Sequence, residues 1–192
     1  MPDPILPRCG WVSLKNPLYI HYHDSEWGRA SHEDLHHFEM LVLEGAQAGL
    51  SWETILKRRE NYRLVFKGFD PQQVAQMQDM DLETALLNPG IIRNRLKVYG
   101  ARINANVFLS IQKEFGSFDQ YVWGFVERKP IITPYSHLKE MPTTTPQSDA
   151  LSRDLKKRGM TFVGSTIIYA YMQAVGLVND HTADCWLYGK ER

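Results

Sequence analysis

Residues 148–175, SDALSRDLKKRGMTFVGSTIIYAYMQAV, carry the pattern that decides the fold class. Leucines at helical spacing and a basic last turn predict a first helix over 148–158. Gly159 ends that helix, and after a break over 160–164 a strongly apolar second helix is predicted over 165–175. The stretch therefore predicts two helices joined by a hairpin.

Helical periodicity also dominates the rest of the chain, with isolated breakers between the apolar runs and no repeat or low-complexity linker. Further helices are predicted over 31–43, 51–66, 71–77, 79–87 and 91–115. Four prolines within 129–146 favour extended chain and turns in that segment instead. We expect an all-α fold in which residues 1–192 form a single domain, with two helical lobes sharing one core.

The charge balance does not by itself point to nucleic acid. The 192-residue chain has 22 Lys and Arg against 22 Asp and Glu, so its formal net charge is +0. Any affinity for DNA must come from clustered basic residues and from backbone amides. No apolar stretch reaches transmembrane length, no leader peptide is recognisable, and only two cysteines are present. We therefore expect a cytoplasmic protein that does not associate with membranes.

Four residues near the two ends of the chain form a candidate metal site. Cys9, His23, His181 and Cys185 supply two thiolates and two imidazoles, the ligand set that tetrahedral zinc prefers. His181 and Cys185 would share one face if their segment is helical. One structural zinc ion bound to all four residues would join the N- and C-terminal segments. Two unrelated buried cysteines, or a disulfide between Cys9 and Cys185, remain as alternatives.

Aromatic residues are concentrated in the first third of the chain, around one acidic residue at an apolar helix end. The aromatic residues are Trp11, Tyr22, Trp27 and Trp52, and the acidic residue is Glu44. Aromatic faces stack on an extruded base, and a desolvated carboxylate favours a positively charged one. The combination predicts a pocket for a cationic purine. The alternatives are that the tryptophans are core residues and that Glu44 pairs with a Lys or Arg.

Two loops have features that are typical of contact with DNA. Gly49 and Leu50 end a short connection between helices, so Leu50 is predicted to be a wedge that fills the gap left by an extruded base. The hairpin ends in Gly164, Ser165 and Thr166, where free helix amides can bind a phosphate. The basic residues that would add electrostatic attraction just before the hairpin are Lys156, Lys157 and Arg158. A buried leucine and a solvated helix end are the alternatives.

The order and spacing of these segments resemble the DNA-3-methyladenine glycosylase I family, a branch of the helix-hairpin-helix glycosylases. The resemblance covers nearly the whole chain and ends at Cys185. Its motifs are CGW (9–11), YHDSEWG (22–28), LEGAQAGLSW (43–52), GIIR (90–93), KKRG (156–159), FVG (162–164) and GLVNDH (176–181).

The resemblance implies a monofunctional enzyme that releases 3-methyladenine from alkylated double-stranded DNA, with the free base as product and the Cys and His set holding a structural zinc ion. It implies that Glu44 and Tyr22 read the base and that Trp11 and Trp52 pack around it. Gly49 and Leu50 would enter the vacated stack. We expect the protein to act as a monomer. We do not assign Asp180 the role of the acid that related enzymes use for sugar cleavage.

Methylation at N3 makes the purine cationic and the glycosidic bond weak, so the enzyme has less to supply than for a normal base. We expect Glu44 to be the catalytic residue, binding the extruded cation while water attacks the sugar. Two other functions remain open, a non-enzymatic module that binds damaged DNA and a zinc-dependent nucleobase hydrolase or deaminase. The deaminase pattern of His-x-Glu with a following Pro-Cys-x-x-Cys is missing.

Overall fold

The computed structural model of the protein describes residues 6–190, which are mostly helical. Within that range the chain forms ten α-helices and one pair of short strands. The helices are α1 (Pro17–Ser25), α2 (Asp34–Gln47), α3 (Trp52–Leu56), α4 (Arg59–Val65), α5 (Pro71–Ala75), α6 (Asp79–Leu87), α7 (Arg95–Phe115), α8 (Phe118–Trp123), α9 (Pro146–Lys157) and α10 (Ser165–Ala174). The strands are β1 (Ile131–Ile132) and β2 (Val178–Asn179).

The strand pair departs from the all-α prediction. β1 and β2 are parallel, with Ile131 opposite Val178. Ile131 N donates to the carbonyl oxygen of Leu177 at 3.0 Å, so the proline-rich segment satisfies its backbone by pairing with the chain that follows α10. The prediction of extended chain in this segment is confirmed, but its pairing partner lies too far along the chain to be seen as a local pattern.

Two predicted helices have different limits in the structure. The helix expected over 51–66 is divided into α3 and α4, because Arg58 N donates to Ile55 O in a tight turn between them. The helix expected from residue 91 begins at Arg95, where the side chain of Asn94 accepts from Lys97 N and caps the first turn. α1 and α8 were not predicted, although each begins with a side-chain cap, from Asn16 and Ser117.

The core is built around α2 and α10, which pack against each other. Phe38, Met40 and Leu43 of α2 are fully buried, as are Tyr171 and Met172 of α10. α9 packs against α10 from the other side of the hairpin, and α7 packs against α2, α5 and α8. Because the facing side chains of α2 and α10 are buried and closely packed, their positions are well defined.

The two ends of the described chain meet. Trp186 N donates to the carbonyl oxygen of Pro7 at 2.9 Å, and Arg8 forms an ion pair with Asp24 of α1 at 2.7 Å. The segment that follows β2 is therefore tied to the segment that precedes α1. Among residues 6–190, no helix has both the length and the apolar character that crossing a lipid bilayer requires.

Candidate active site

The four residues predicted to bind a metal lie together and are all buried, with their ligand atoms within 4.8 Å of one another. Sγ of Cys185 is 3.5 Å from Nε2 of His23 and 3.5 Å from Nδ1 of His181. Sγ of Cys9 is also 3.5 Å from Nδ1 of His181. With bond lengths of about 2.3 Å to sulfur and about 2.0 Å to nitrogen, tetrahedral zinc separates its sulfur and nitrogen ligands by about 3.5 Å. The cluster therefore fits one zinc ion.

Hydrogen bonds outside the cluster orient both imidazole rings. Nδ1 of His23 donates to Oδ1 of Asp24 at 2.8 Å, because a carboxylate can only accept, and this leaves the Nε2 lone pair facing the sulfur atoms. Nε2 of His181 donates to the carbonyl oxygen of Trp27 at 3.3 Å, which leaves its Nδ1 lone pair facing the same centre. Metal-binding histidines in proteins commonly have such outer partners.

The metal-site segment after β2 is not helical. His181 and Cys185 are brought together by a turn in which Cys185 N donates to Thr182 O at 2.8 Å, so their spacing does not reflect a helix face. Both cysteines are free thiols, and no disulfide joins Cys9 to Cys185. The close approach of the two thiol groups lowers the pKa of Cys185 and raises that of Cys9.

A cavity of about 240 Å³ lies beside this cluster. It is lined by all four residues predicted to bind a base, Trp11, Tyr22, Glu44 and Trp52. The rings of Tyr22 and Trp52 have centroids 5.2 Å apart and planes tilted by 51°, so these two rings contact each other within the cavity wall. A cavity of this size, with several aromatic residues in its wall, has room for a small planar ring system.

Glu44 lines the cavity from the last turn of α2 and is only 4% exposed. Its carboxyl group has no hydrogen bond or ion pair with any residue between 6 and 190, so the predicted alternative of a Lys or Arg partner is not found there. Burial raises the pKa of Glu44 to about 8. A carboxyl group in this state can ionise when a cation or a hydrogen-bond donor enters the cavity.

Trp11 and Trp27 stand between the cavity and the metal cluster. Their ring centroids are 4.9 Å apart, and each ring also contacts a histidine of the cluster. Gly28 lets the His181 ring lie close to the backbone after Trp27, because a Cβ at this position would lie 3.0 Å from Nε2 of His181. Its φ of +73° is also a conformation that glycine adopts readily. The cluster therefore supports the aromatic side of the cavity from behind.

The short loop after α2 projects into solvent as predicted. Gly49 has a φ of +82°, and Leu50 is 42% exposed. Nζ of Lys97 donates to the carbonyl oxygens of Ala46 at 2.7 Å and Ala48 at 2.8 Å, so a side chain of α7 holds the base of the loop. This contact leaves no local pattern in the sequence, because Lys97 lies 51 residues after Ala46.

The hairpin between α9 and α10 leaves the first turn of α10 without a side-chain cap. Gly164 occupies the cap position, and Thr166 is exposed. The hydroxyl group of Ser165 donates to Oδ1 of Asp149 at 2.5 Å, so this side chain has a protein partner and its contribution to a phosphate site would come from its backbone amide.

The three predicted basic residues are not equivalent. Lys156 and Lys157 are exposed at the end of α9. Arg158 is held by ion pairs of 2.6 Å to both Asp154 and Glu114. Its guanidinium group also lies over the ring of Tyr121, which makes it part of the packing beside the hairpin. The two lysines are therefore the side chains that are available to a phosphate.

A family model described as methyladenine glycosylase matches residues 11–188 of the chain. The chain belongs to the methyladenine glycosylase family. Over 183 residues, this glycosylase is 51% identical to DNA-3-methyladenine glycosylase 1 of Escherichia coli (strain K12). The matched region covers 95% of this chain and 97% of that protein. The predicted resemblance is thereby confirmed, and with it the prediction that the chain is a glycosylase.

Solved structures agree with this assignment. A crystal structure of 3-methyladenine DNA glycosylase I matches the glycosylase with a TM-score of 0.92 and 52% identity, covering 95% of this chain and 100% of the other. A crystal structure of a variant of 3-methyladenine DNA glycosylase I in complex with 3-methyladenine matches with a TM-score of 0.90 and 35% identity, covering 93% of this chain and 96% of the other. The fold of the glycosylase is therefore that of these enzymes.

Several residues of the cavity wall were not assigned from sequence. They are Tyr19, Gln47, Leu138, Met141, Ala170 and Gln173. Gln47 lies one turn after Glu44 on α2, so helical spacing contained a signal for it. Leu138 and Met141 come from the proline-rich segment, whose position over the cavity depends on the β1–β2 pairing and leaves no local pattern.

Proposed function

We propose that this glycosylase flips 3-methyladenine out of alkylated double-stranded DNA and releases it by hydrolysis, as a step of base excision repair. The observation that carries the proposal is the carboxyl group of Glu44, buried without a partner among residues 6–190 in a cavity with aromatic walls. The relative whose structure contains 3-methyladenine shares the fold, which supports a methylated purine as the occupant.

The cavity is complementary to a cationic base. Methylation at N3 gives the purine of an intact nucleotide a positive charge, which aromatic faces attract and a carboxylate pairs with. Because burial raises the pKa of Glu44 to about 8, its carboxyl group is mostly protonated at neutral pH without a ligand. Entry of a cation favours the ionised form, so a charged base is bound more strongly than a neutral one.

In the proposed reaction the bond between the sugar C1′ and N9 breaks, and its electron pair leaves with the base, which becomes neutral. Water adds to C1′ and releases a proton to solvent. Glu44 acts as the catalytic residue by holding the base while positive charge moves onto the sugar. No lysine lines the cavity among residues 6–190, which supports a monofunctional enzyme without a covalent lysine intermediate.

We assign the two exposed loops to the grip on DNA. Leu50, together with the preceding Gly49, would fill the gap that the extruded base leaves. The α9–α10 unit would act as a helix-hairpin-helix element, with the backbone amides after Gly164 binding a phosphate. Lys156 and Lys157 would add electrostatic attraction, and Arg158 would keep the hairpin packed.

We further propose that Cys9, His23, His181 and Cys185 hold one structural zinc ion. When bound, the ion would supply a cross-link and no reactive position, because four protein ligands complete a tetrahedral shell. The chain segments on either side of the cavity would then be fixed to each other, and residues 1–192 would behave as one domain with two helical lobes.

The free product would be 3-methyladenine, and the protein would act as a monomer. The compartment we propose is the cytoplasm, because reducing conditions keep thiols such as those of Cys9 and Cys185 free to bind metal.

The test is to incubate the purified protein with methylated duplex DNA and to separate the released bases by chromatography. Release of 3-methyladenine is expected, leaving an abasic site without strand cleavage. A protein that binds damaged duplex but releases no base would be a non-enzymatic module, and release of a deaminated base would indicate zinc chemistry. Either result would contradict the proposal.

A further inference from the structure

A glutamine in the cavity wall has a fixed orientation that the reaction described above does not use. Gln173 of α10 lines the cavity and is half-buried. Its Nε2 donates to Oδ2 of Asp180 at 2.8 Å and to Sδ of Met141 at 3.1 Å. Ala170, one turn earlier on α10, also lines the cavity, so this face of the helix points at the ligand space.

The chemistry of these two partners determines which end of the amide faces them. A carboxylate and a thioether have no proton to donate, so the NH2 group of Gln173 must face both. The amide oxygen therefore faces away from them, and no residue between 6 and 190 donates to it. Gln173 thus contributes a hydrogen-bond acceptor, its Oε1, to the cavity wall, and Asp180 and Met141 set the direction of this oxygen.

Asp180 is well placed to hold this orientation. It is fully buried, and its Oδ2 accepts from the hydroxyl group of Tyr169 at 2.5 Å in addition to Gln173. No Lys, Arg or His within residues 6–190 forms an ion pair with it, and its Oδ1 has no hydrogen-bond partner there. A buried carboxylate without a cation is costly for folding, and the hydrogen bonds that compensate for this cost also fix the direction of the Gln173 amide group.

We propose that Gln173 is a specificity-determining residue whose Oε1 accepts a hydrogen bond from the exocyclic amino group of the extruded purine, with Asp180 and Met141 as positioning residues. Together with Glu44, it gives the cavity two acceptors for the two N–H bonds of one amino group. A purine with a carbonyl group at that position would place acceptor against acceptor. The inference rests on the proposed function and narrows its substrate class to N3-methylated purines with a 6-amino group.

The test compares the binding of two free ligands, 3-methyladenine and 3-methylpurine, which lacks the amino group, by titrating tryptophan fluorescence. Gln173→Met keeps the length of the side chain but removes the acceptor. We expect it to weaken 3-methyladenine binding about tenfold, as the loss of one buried hydrogen bond does, and to leave 3-methylpurine binding unchanged. Gln72→Met, an exposed glutamine on α5, should change neither affinity.

The role of Asp180 is tested through rescue. Asp180→Asn retains an oxygen that can accept from Gln173 and should keep most of the preference for 3-methyladenine, whereas Asp180→Ala should lose it. Circular dichroism and metal content serve as checks on folding, and if Asp180→Ala fails to fold, Gln173→Met decides. An equal loss of affinity for both ligands, or no loss, in Gln173→Met would overturn the inference. Failure of the unmodified protein to bind 3-methyladenine would instead count against the proposed function.

Discussion

The indole ring of Trp27 lies edge-on against the imidazole of His181, with ring centroids 4.7 Å apart and planes at 90°. One residue belongs to the wall of the cavity and the other to the metal cluster. The same indole also meets the ring of Trp11, which lines the cavity as well. The Cys and His cluster and the cavity therefore pack against each other, and a change in the cluster should alter the shape of the cavity.

Loss of the metal should unfold the protein before it alters the chemistry. Cys185→Ser is expected to lower stability by several kcal/mol, because one thiolate ligand of a closed shell is removed. Elemental analysis should find one zinc ion per chain in the unmodified protein, and calorimetry should give a lower Tm for the variant. His21→Ala, an exposed histidine on α1, is the matched control and should change neither value. A zinc-free protein with an unchanged Tm would contradict the structural role.

Glu44→Gln should make the protein more stable at alkaline pH. The folded-state pKa of Glu44 is about 8, above the ordinary value of 4.5. Between these values the unfolded chain has released the proton and the folded protein has kept it, so stability falls as the pH rises through this window. The variant lacks this loss and should gain on the order of 3 to 4 kcal/mol relative to the unmodified protein at pH 7 to 8.

At pH 4 that difference should be small, since both states of the unmodified protein are then largely protonated. Thermal melts at a series of pH values measure it. A constant difference in Tm from pH 4 to pH 8 would mean that the carboxyl group of Glu44 is not shielded from water.

Leu50→Ala should slow release of the base from duplex DNA about tenfold while leaving the binding of free 3-methyladenine intact. Leu50 is 42% exposed, so its truncation removes little from the core, and the effect should come from the lost support of the extruded state. Leu64→Ala, at a leucine that is 77% exposed on α4, serves as control. Equal rates for the two variants would exclude Leu50 as a wedge.

Lys156→Ala should weaken DNA binding uniformly across sequences and reduce the salt dependence of binding by about one counterion. Lys156 is exposed beside the hairpin, whereas Arg158 is engaged in ion pairs. Binding of an oligonucleotide is measured by fluorescence anisotropy at several salt concentrations. Lys67→Ala, at an exposed lysine between α4 and α5, is the control, and a salt slope identical to that of Lys156→Ala would argue against the hairpin as a phosphate site.

The helices could largely be predicted from sequence because their apolar residues recur at helical spacing. The predicted range 79–87 coincides with α6 (Asp79–Leu87), and 165–175 differs from α10 by one residue. The division between α3 and α4 could not be predicted, since both halves share one apolar pattern. Arg59, at the start of α4, pairs with Glu26 and Glu39, which are distant in sequence.

The residues of the candidate site also fall into two groups, those that could be predicted from the sequence and those that could not. Tyr22, Glu44 and Trp52 could be grouped because aromatic residues surround an acidic residue within a short stretch of sequence. Met141 and Gln173 could not, because they reach the cavity only through the β1–β2 pairing and the packing of α10 against α2. A local pattern finds the residues that one segment contributes, and tertiary packing decides which other segments join them.

The release of 3-methyladenine from methylated duplex DNA by Glu44→Gln, followed in single-turnover experiments beside the unmodified protein, tests the central claim most directly. In the proposed mechanism the carboxyl group of Glu44 becomes negative when the cationic base enters the cavity, so the variant should release the base at least tenfold more slowly while remaining folded. A folded variant that releases 3-methyladenine at the unmodified rate would contradict the account.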